Sequence, residues 1–266
     1  MDVAGKVALV TGGAYGIGRA ISLALADEGA RVCVFDRSVE PLNVVVAEIE
    51  KRQPGRVIGV AGNAASTDDI GRALRQTREA FGPVDLYCAN AGVATPGIAL
   101  DDRAWSDAME TNLSAHIRAA NLLLPEWQKR GSGYFLITAS GAGLTTQLGD
   151  VAYSVTKHAA VALAEWLSIT YHESGIRVSC LCPMGVKTNM LQQLLETEEY
   201  DYSGAIGRVL DAEDVARVVL DGIRDERFLI LPQPEVLEFF RRKADDYDRW
   251  LAGMRRLQSQ IVRRRE

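Results

Sequence analysis

A doubly wound α/β fold, built on a seven-stranded parallel sheet flanked by helices, is what this sequence predicts. Three observations carry the prediction. Seven short β-rich runs recur along the 266 residues, each is apolar almost without interruption, and helix-compatible stretches long enough to cross over a sheet separate them. A strand with one face in water alternates apolar and polar residues, whereas a strand buried on both faces does not.

The first run, VALVTG (7–12), leads through a glycine-rich turn into a helix near 17–28. RVCVFD (31–36), a helix near 40–52, RVIGVAG (56–62), a helix near 68–81 and VDLYCAN (84–90) follow. A longer helical stretch, 102–129, precedes YFLITAS (134–140), and another, 152–173, precedes IRVSCLCP (176–183). A helix near 211–224 leads to the last run, RFLILP (227–232). No composition break or repeat divides this alternation, so residues 1–232 read as one domain. The segment 189–210 interrupts it at the carboxyl end of the sixth strand, where open α/β sheets bind ligands, and is a candidate lid over a substrate; an ordinary surface excursion is the alternative.

Residues 233–266 form a different stretch, an amphipathic helical tail. Val236, Phe240, Ala244, Tyr247, Leu251, Met254 and Ile261 recur at three- or four-residue steps or a multiple of them, which lines one face of a helix. That face needs cover, either from its own domain or from another subunit. Nine basic and six acidic residues give the tail +3 and leave −8 on the rest, so docking on an acidic neighbouring subunit is electrostatically reasonable.

Composition excludes several classes. With 47% hydrophobic and 24% charged residues the chain can bury a large core, which rules out a disordered protein or a small disulfide scaffold. A net charge of −5 argues against a general nucleic-acid surface, and the Arg263, Arg264 and Arg265 cluster reads as a solvated tail. No apolar run is long enough for a membrane span and the charged start lacks a signal-peptide core, so a soluble, cytoplasmic protein without membrane partners is expected. Cys33, Cys88, Cys180 and Cys182 lie in or beside apolar runs and read as buried thiols; their spacing provides no metal site. His116, His158 and His172 read as surface or packing residues.

Gly12-x-x-x-Gly16-x-Gly18 sits between the first strand and the first helix. Glycines there permit a tight turn and close approach, and the free N–H groups and positive dipole end of the helix attract a pyrophosphate, which makes the fold Rossmann-like and the ligand a dinucleotide. Asp36 closes the second strand, 18 positions beyond Gly18, near the spacing at which a carboxylate binds the adenosine ribose hydroxyls. A carboxylate would repel a 2′-phosphate, so NAD is favoured over NADP, although the neighbouring Arg37 pulls the other way.

Further along, Ser140 ends a strand, and Tyr153 and Lys157 stand four residues apart, on one face of a helix. A phenol with an ordinary pKa near 10 is a poor base at neutral pH, and bringing it toward 7 requires about 4 kcal/mol of preferential phenolate stabilisation. An ammonium one turn away, with the positive nicotinamide ring of an oxidised cofactor, supplies a field of the right sign. The serine hydroxyl is placed to hydrogen-bond a substrate oxygen.

With these residues in view, the sequence resembles the short-chain dehydrogenase/reductase family from residue 5 to about 232. The resemblance rests on Thr11-Gly12-x-x-x-Gly16-Ile17-Gly18, Asn90-Ala91-Gly92, Asn112, Ser140 placed 13 residues before Tyr153, and Tyr153-x-x-x-Lys157. It implies that Tyr153 is the general acid/base, that Ser140 orients the carbonyl or alcohol, and that Lys157 binds the nicotinamide ribose and lowers the tyrosine pKa. It also implies that Asn112 holds a helix kink and a water in a proton relay, and that Asn90, Ala91 and Gly92 steady the sheet beside the adenosine ribose. Asn63, with Ala64 after it, stands where the family usually has an acidic adenine contact; Pro183, Gly185, Val186 and Thr188 match the segment holding the nicotinamide amide, with Met184 inserted. Tyr15 and Ile17, within the glycine turn, complete the expected cofactor contacts.

The implied reaction is NAD-dependent hydride transfer to or from a secondary alcohol or ketone, with lipid-like or steroid-like compounds as candidates. An NADPH-dependent ketoreductase with the same catalytic residues, or a non-catalytic dinucleotide sensor, are the alternatives. The resemblance further implies a homo-oligomer, a tetramer or a dimer, assembled through the helices at 102–129 and 152–173.

Overall fold

The computed structural model describes residues 1–97, 101–202 and 207–262. Seven strands form one parallel sheet: β1 (Val7–Thr11), β2 (Arg31–Asp36), β3 (Val57–Ala61), β4 (Leu86–Ala89), β5 (Gly133–Thr138), β6 (Ile176–Leu181) and β7 (Leu229–Ile230), in the order β3-β2-β1-β4-β5-β6-β7. The order reverses between β1 and β4, and the crevice beyond their carboxyl ends is where such sheets bind ligands. The last strand is shorter than its apolar run, pairing only Cys180 with Leu229 and Leu181 with Ile230, because Pro232 has no N–H to extend the ladder.

The helices are α1 (Gly16–Asp27), α2 (Val39–Arg52), α3 (Thr67–Phe81), α4 (Asp102–Met109), α5 (Ala115–Arg130), α6 (Val151–Tyr171), α7 (Asn189–Leu195), α8 (Ala212–Arg224), α9 (Glu235–Asp245) and α10 (Tyr247–Ile261). Two cores lie on opposite faces of the sheet. Ala8 and Val10 of β1 join Ile21 and Leu25 of α1 and Val215 and Val219 of α8 on one face. Val7 and Leu9 join Ile70 of α3, Trp127 of α5 and Ala164 of α6 on the other, which is why these strands are continuously apolar. All four cysteines are buried thiols in these layers.

Two predicted helices are interrupted. The stretch 102–129 contains a π-helical turn, Glu110–Ser114, between α4 and α5. Its buried Asn112 spends its side chain on other segments: Oδ1 accepts from Val93 N–H (2.8 Å), and Nδ2 donates to Val93 O (2.9 Å) and to Thr156 Oγ1 (3.1 Å).

The tail is likewise two helices, not one. Asp246, extended at φ −152° and ψ 92°, ends α9 and caps α10 by accepting from Arg249 N–H. The break changes which residues face inward. Val236 is buried in the core and Ile261 packs with Tyr200 and Tyr202, but Phe240, Tyr247 and Leu251 stay exposed. The tail thus docks on its own chain. The Arg263–Arg265 cluster lies outside the described residues. Among the described residues no helix is long and apolar enough to cross a membrane, and no three His, Cys, Asp or Glu side chains converge as a metal site.

Candidate active site

A cleft of about 2020 Å³ opens over the carboxyl ends of β1, β4, β5 and β6 and reaches the tail helices. Its volume exceeds the roughly 300–1,000 Å³ of a typical small-molecule pocket, leaving room for two ligands side by side.

At one end, the turn after β1 places Gly12 at φ 63° and Gly16 at φ 48°. A Cβ at Gly16 would come within 2.7 Å of Thr188 Cγ2, so the first turn and the segment after β6 meet there. Helix α1 starts at Gly16 with no acidic residue in its first turn and no side-chain cap, leaving its N–H groups for an anion. Gly18 faces away from the cleft: a Cβ there would lie 2.1 Å from Gly12 O and 2.5 Å from Asn90 Nδ2. A side chain there would collide with the backbone of the turn, so Gly18 permits the close packing of α1 on it.

Asp36 is buried at the end of β2. Oδ2 accepts from Ala14 N–H (3.1 Å) and Oδ1 from Ser38 N–H (2.9 Å), so the carboxylate staples the glycine turn while lining the cleft. Arg37 is exposed beside it. Asn63 and Ala64 line the same end, and Asn63 Oδ1 already accepts from Ala65 N–H (3.0 Å). Asn90 Nδ2 donates to Thr11 O (3.1 Å), while Thr11 Oγ1 accepts from the N–H groups of Asn90 and Ala91, tying β1 to the end of β4. Tyr15, Ile17, Gly92, Pro183, Gly185, Val186 and Thr188 also line the cleft.

At the other end, Ser140 Oγ accepts from Ala142 N–H (3.1 Å) and faces Pro183 O at 3.4 Å. Tyr153 and Lys157 extend from the first turns of α6, with Lys157 Nζ 5.5 Å from the Tyr153 ring centroid and donating to Thr138 O (2.9 Å). Burial lowers the Lys157 ammonium to about 8. The expected lowering of the tyrosine is not what the protein groups produce: burial pushes the Tyr153 phenol up to about 12, Asp150 pushes the same way, and only the Ser140 hydrogen bond opposes them.

Of the sequence-predicted residues, the cleft brings together all but Gly18 and Asn112, which support it from behind. Two contributors were missed. Asp150 caps α6, Oδ1 accepting from Tyr153 N–H (2.9 Å), and also accepts from Thr95 N–H and Oγ1; an Asp three residues before Tyr153 at a helix start is a readable N-cap signal. Gln233, buried after β7, accepts from Met184 N–H (3.1 Å) and donates to Gly185 O (2.9 Å), fixing the segment that carries Val186 and Thr188. Nothing local marks Gln233. His116 is buried with Nε2 unpartnered, and burial followed by the Lys157 charge lowers it to about 3.

A protein-family model described as short chain dehydrogenase matches residues 6–199. The chain is 36% identical over 213 residues to a cis-1,2-dihydrobenzene-1,2-diol dehydrogenase of Pseudomonas putida, covering 76% of this chain and 74% of that protein. It is 31% identical over 255 residues to a 1-deoxy-11-beta-hydroxypentalenate dehydrogenase of Streptomyces exfoliatus, covering 92% and 90%. Among solved structures, a short chain dehydrogenase/reductase from Burkholderia phymatum in complex with NAD superposes with a TM-score of 0.84 at 26% identity, covering 93% of this chain and 96% of that one.

Proposed function

This chain belongs to the short-chain dehydrogenase/reductase family, whose members act on CH–OH groups with NAD(P), and from that premise we propose that it is NAD-dependent and acts on an alicyclic secondary alcohol or its ketone. The observation that carries the cofactor choice is Asp36, a buried carboxylate lining the adenosine end of the cleft. At 4 Å and an effective dielectric of 20, its repulsion of a 2′-phosphate amounts to about 4 kcal/mol. The fit of a dinucleotide is supported by the uncapped start of α1 and by the close approach of Gly16 to Thr188. Gly12, Gly16 and Ile17 would hold the pyrophosphate, Asp36 the adenosine ribose, Asn63 and Ala64 the adenine, and Lys157, Val186 and Thr188 the nicotinamide riboside.

When bound, the oxidised cofactor supplies the hydride acceptor and a positive ring. Ser140 Oγ would hold the substrate oxygen, and in oxidation Tyr153 would take the proton from that oxygen while hydride passes from the carbinol carbon to the bound cofactor; in reduction Tyr153 would return the proton to the oxygen. Lys157 stabilises the phenolate, and Asn112 keeps the backbone between α4 and α5 in its π-turn. Tyr153 binds its proton tightly when only protein groups act on it, so its service as a base relies on the charge of the oxidised cofactor.

The alicyclic class is supported by the names of the two relatives and by Met184, Leu191, Leu194, Trp250, Met254 and Leu257, which give the substrate end apolar walls. An NADP-dependent reading draws on Arg37. Assembly into a homo-oligomer, a tetramer or a dimer, is supported by Val155, Trp166 and Ile169, exposed on α6. The test is cofactor-reduction kinetics with NAD and NADP across a panel of cyclic secondary alcohols. Preference for NAD, relaxed toward NADP in Asp36→Ala, is expected; preference for NADP in the unaltered protein refutes the cofactor assignment.

A further inference from the structure

Lys243, on α9, is buried at 8% exposure although no carboxylate pairs with it among the described residues. A buried ammonium is costly unless its N–H donors are satisfied. Here three donors meet three acceptors: Leu144 O at 3.0 Å, Thr145 O at 2.9 Å and His158 Nε2 at 3.3 Å. Ser154 O, 2.8 Å from His158 Nδ1, can only accept, so the ring hydrogen belongs on Nδ1, and in that tautomer Nε2 is free to accept from the ammonium. The Tyr247 ring, 5.6 Å away by its centroid, covers the ammonium from outside.

The acceptors belong to two different segments. Leu144 and Thr145 end the tight turn that starts at Ser140, and His158 follows Lys157 on α6. Ser140 and Tyr153 must hold a common substrate oxygen, yet they come from these two segments, and on its other side the turn is tied to the segment after β6 through Gly141 N–H and Ser140 Oγ on Pro183 O. We propose that Lys243 is a positioning residue, a pin from the C-terminal tail that locks the Ser140 turn to the Tyr153 helix and so sets the Ser140–Tyr153 geometry. An apolar residue there would fill the space but leave Leu144 O without its donor and Thr145 O with only the Thr146 hydroxyl, loosening the turn against a helix it otherwise meets through the packing of Gly143 on Lys157 and the Gln147–Ser154 bonds. This inference rests on the proposed hydride-transfer chemistry.

The test uses the full chain carrying Lys243→Met, with His158→Leu and the double variant alongside. Misplacement of about 1 Å can cost on the order of 100-fold in rate, so Lys243→Met is expected to lower kcat by about 10- to 100-fold while NADH affinity, read by fluorescence, stays within about twofold. The double variant is expected to be no worse than Lys243→Met, because both remove one bridge. Hydrogen exchange is expected to quicken in peptides spanning 141–150 and to stay unchanged across 7–36. Unchanged kcat and unchanged exchange at 141–150 overturn the proposal, as does a loss of kcat matched by equal losses of cofactor affinity and exchange protection throughout. If Lys243→Met does not fold, Lys243→Gln, which retains two N–H donors, is measured by the same criteria. Should the unaltered protein turn over no alcohol or ketone, the functional reading fails, and the exchange measurement still decides the pin.

Discussion

Replacing Lys157 by Met should make the protein more stable and inactive at once. The side chain is 2% exposed, and burial lowers its ammonium from 10.5 to about 8. Because the group remains charged at pH 7, that difference corresponds to roughly 3 kcal/mol of unfavourable free energy carried by the folded state. Methionine removes it, but also removes the 2.9 Å bond from the charged ammonium to Thr138 O, worth about 2 kcal/mol. A net gain of about 1 kcal/mol remains, or a rise in Tm of about 2–4 °C for a domain of this size. The sign with pH follows from the depressed folded value. The penalty is fully present below pH 8; between there and the unfolded value near 10.4 the unfolded chain holds a proton that the folded one has released, so the unaltered protein gains on the variant. Burial also raises the Cys33 and Cys88 thiols, which titrate in both proteins and cancel in the comparison. Calorimetry of both proteins across pH 6–10, with turnover measured in parallel, checks the reasoning. A Lys157→Met protein that is less stable at pH 7, or whose advantage does not shrink above pH 8, refutes it.

Three further outcomes follow from the same geometry. Tyr153→Phe should abolish turnover with cofactor affinity retained in a titration, since the ring stays and only the proton-carrying oxygen is lost. Gly18→Ala should cost about 1–3 kcal/mol and weaken cofactor binding, because its Cβ would lie 2.1 Å from Gly12 O; urea unfolding and a binding titration read both. His116, lowered to about 3, stays neutral in the folded protein while the unfolded ring protonates below about 6.5, so stability should fall as pH drops from about 6.5 toward 3. His116→Leu should show a shallower fall over that range in denaturant midpoints.

Much of this arrangement could be read from sequence because it is local or periodic. The strands announce themselves through burial on both faces, and Tyr153 with Lys157 through helical spacing. Asp36 is legible because the end of β2 lies one crossover from the glycine turn. What escaped the reading depends on contacts between distant segments or on single-residue irregularities. Lys243 meets Leu144 across 99 positions and Gln233 meets Met184 across 49, and neither pairing leaves a periodic trace. The π-turn at Asn112 slips the helical register by about one residue, too little to disturb an apolar pattern. In the tail, the apolar steps run through Asp246, so periodicity suggested one helix where a cap starts a second. The rise in the Tyr153 pKa is hidden for another reason: spacing reveals the neighbouring ammonium but not the depth of burial that pushes the phenol up.

The double duty of Asp36 constrains how this chain could ever change its cofactor. Its two oxygens are engaged by the N–H groups of Ala14 and Ser38, so the residue proposed to read the adenosine ribose also holds the glycine turn proposed to receive the pyrophosphate. On the NAD-dependent reading, removing the carboxylate lifts the repulsion toward a 2′-phosphate and in the same step strips one buried and one half-buried donor of their acceptor. On that reading, a lineage drifting toward NADP would lose a structural brace in the same step, and Arg37, exposed beside the turn, is where selection could act without that penalty.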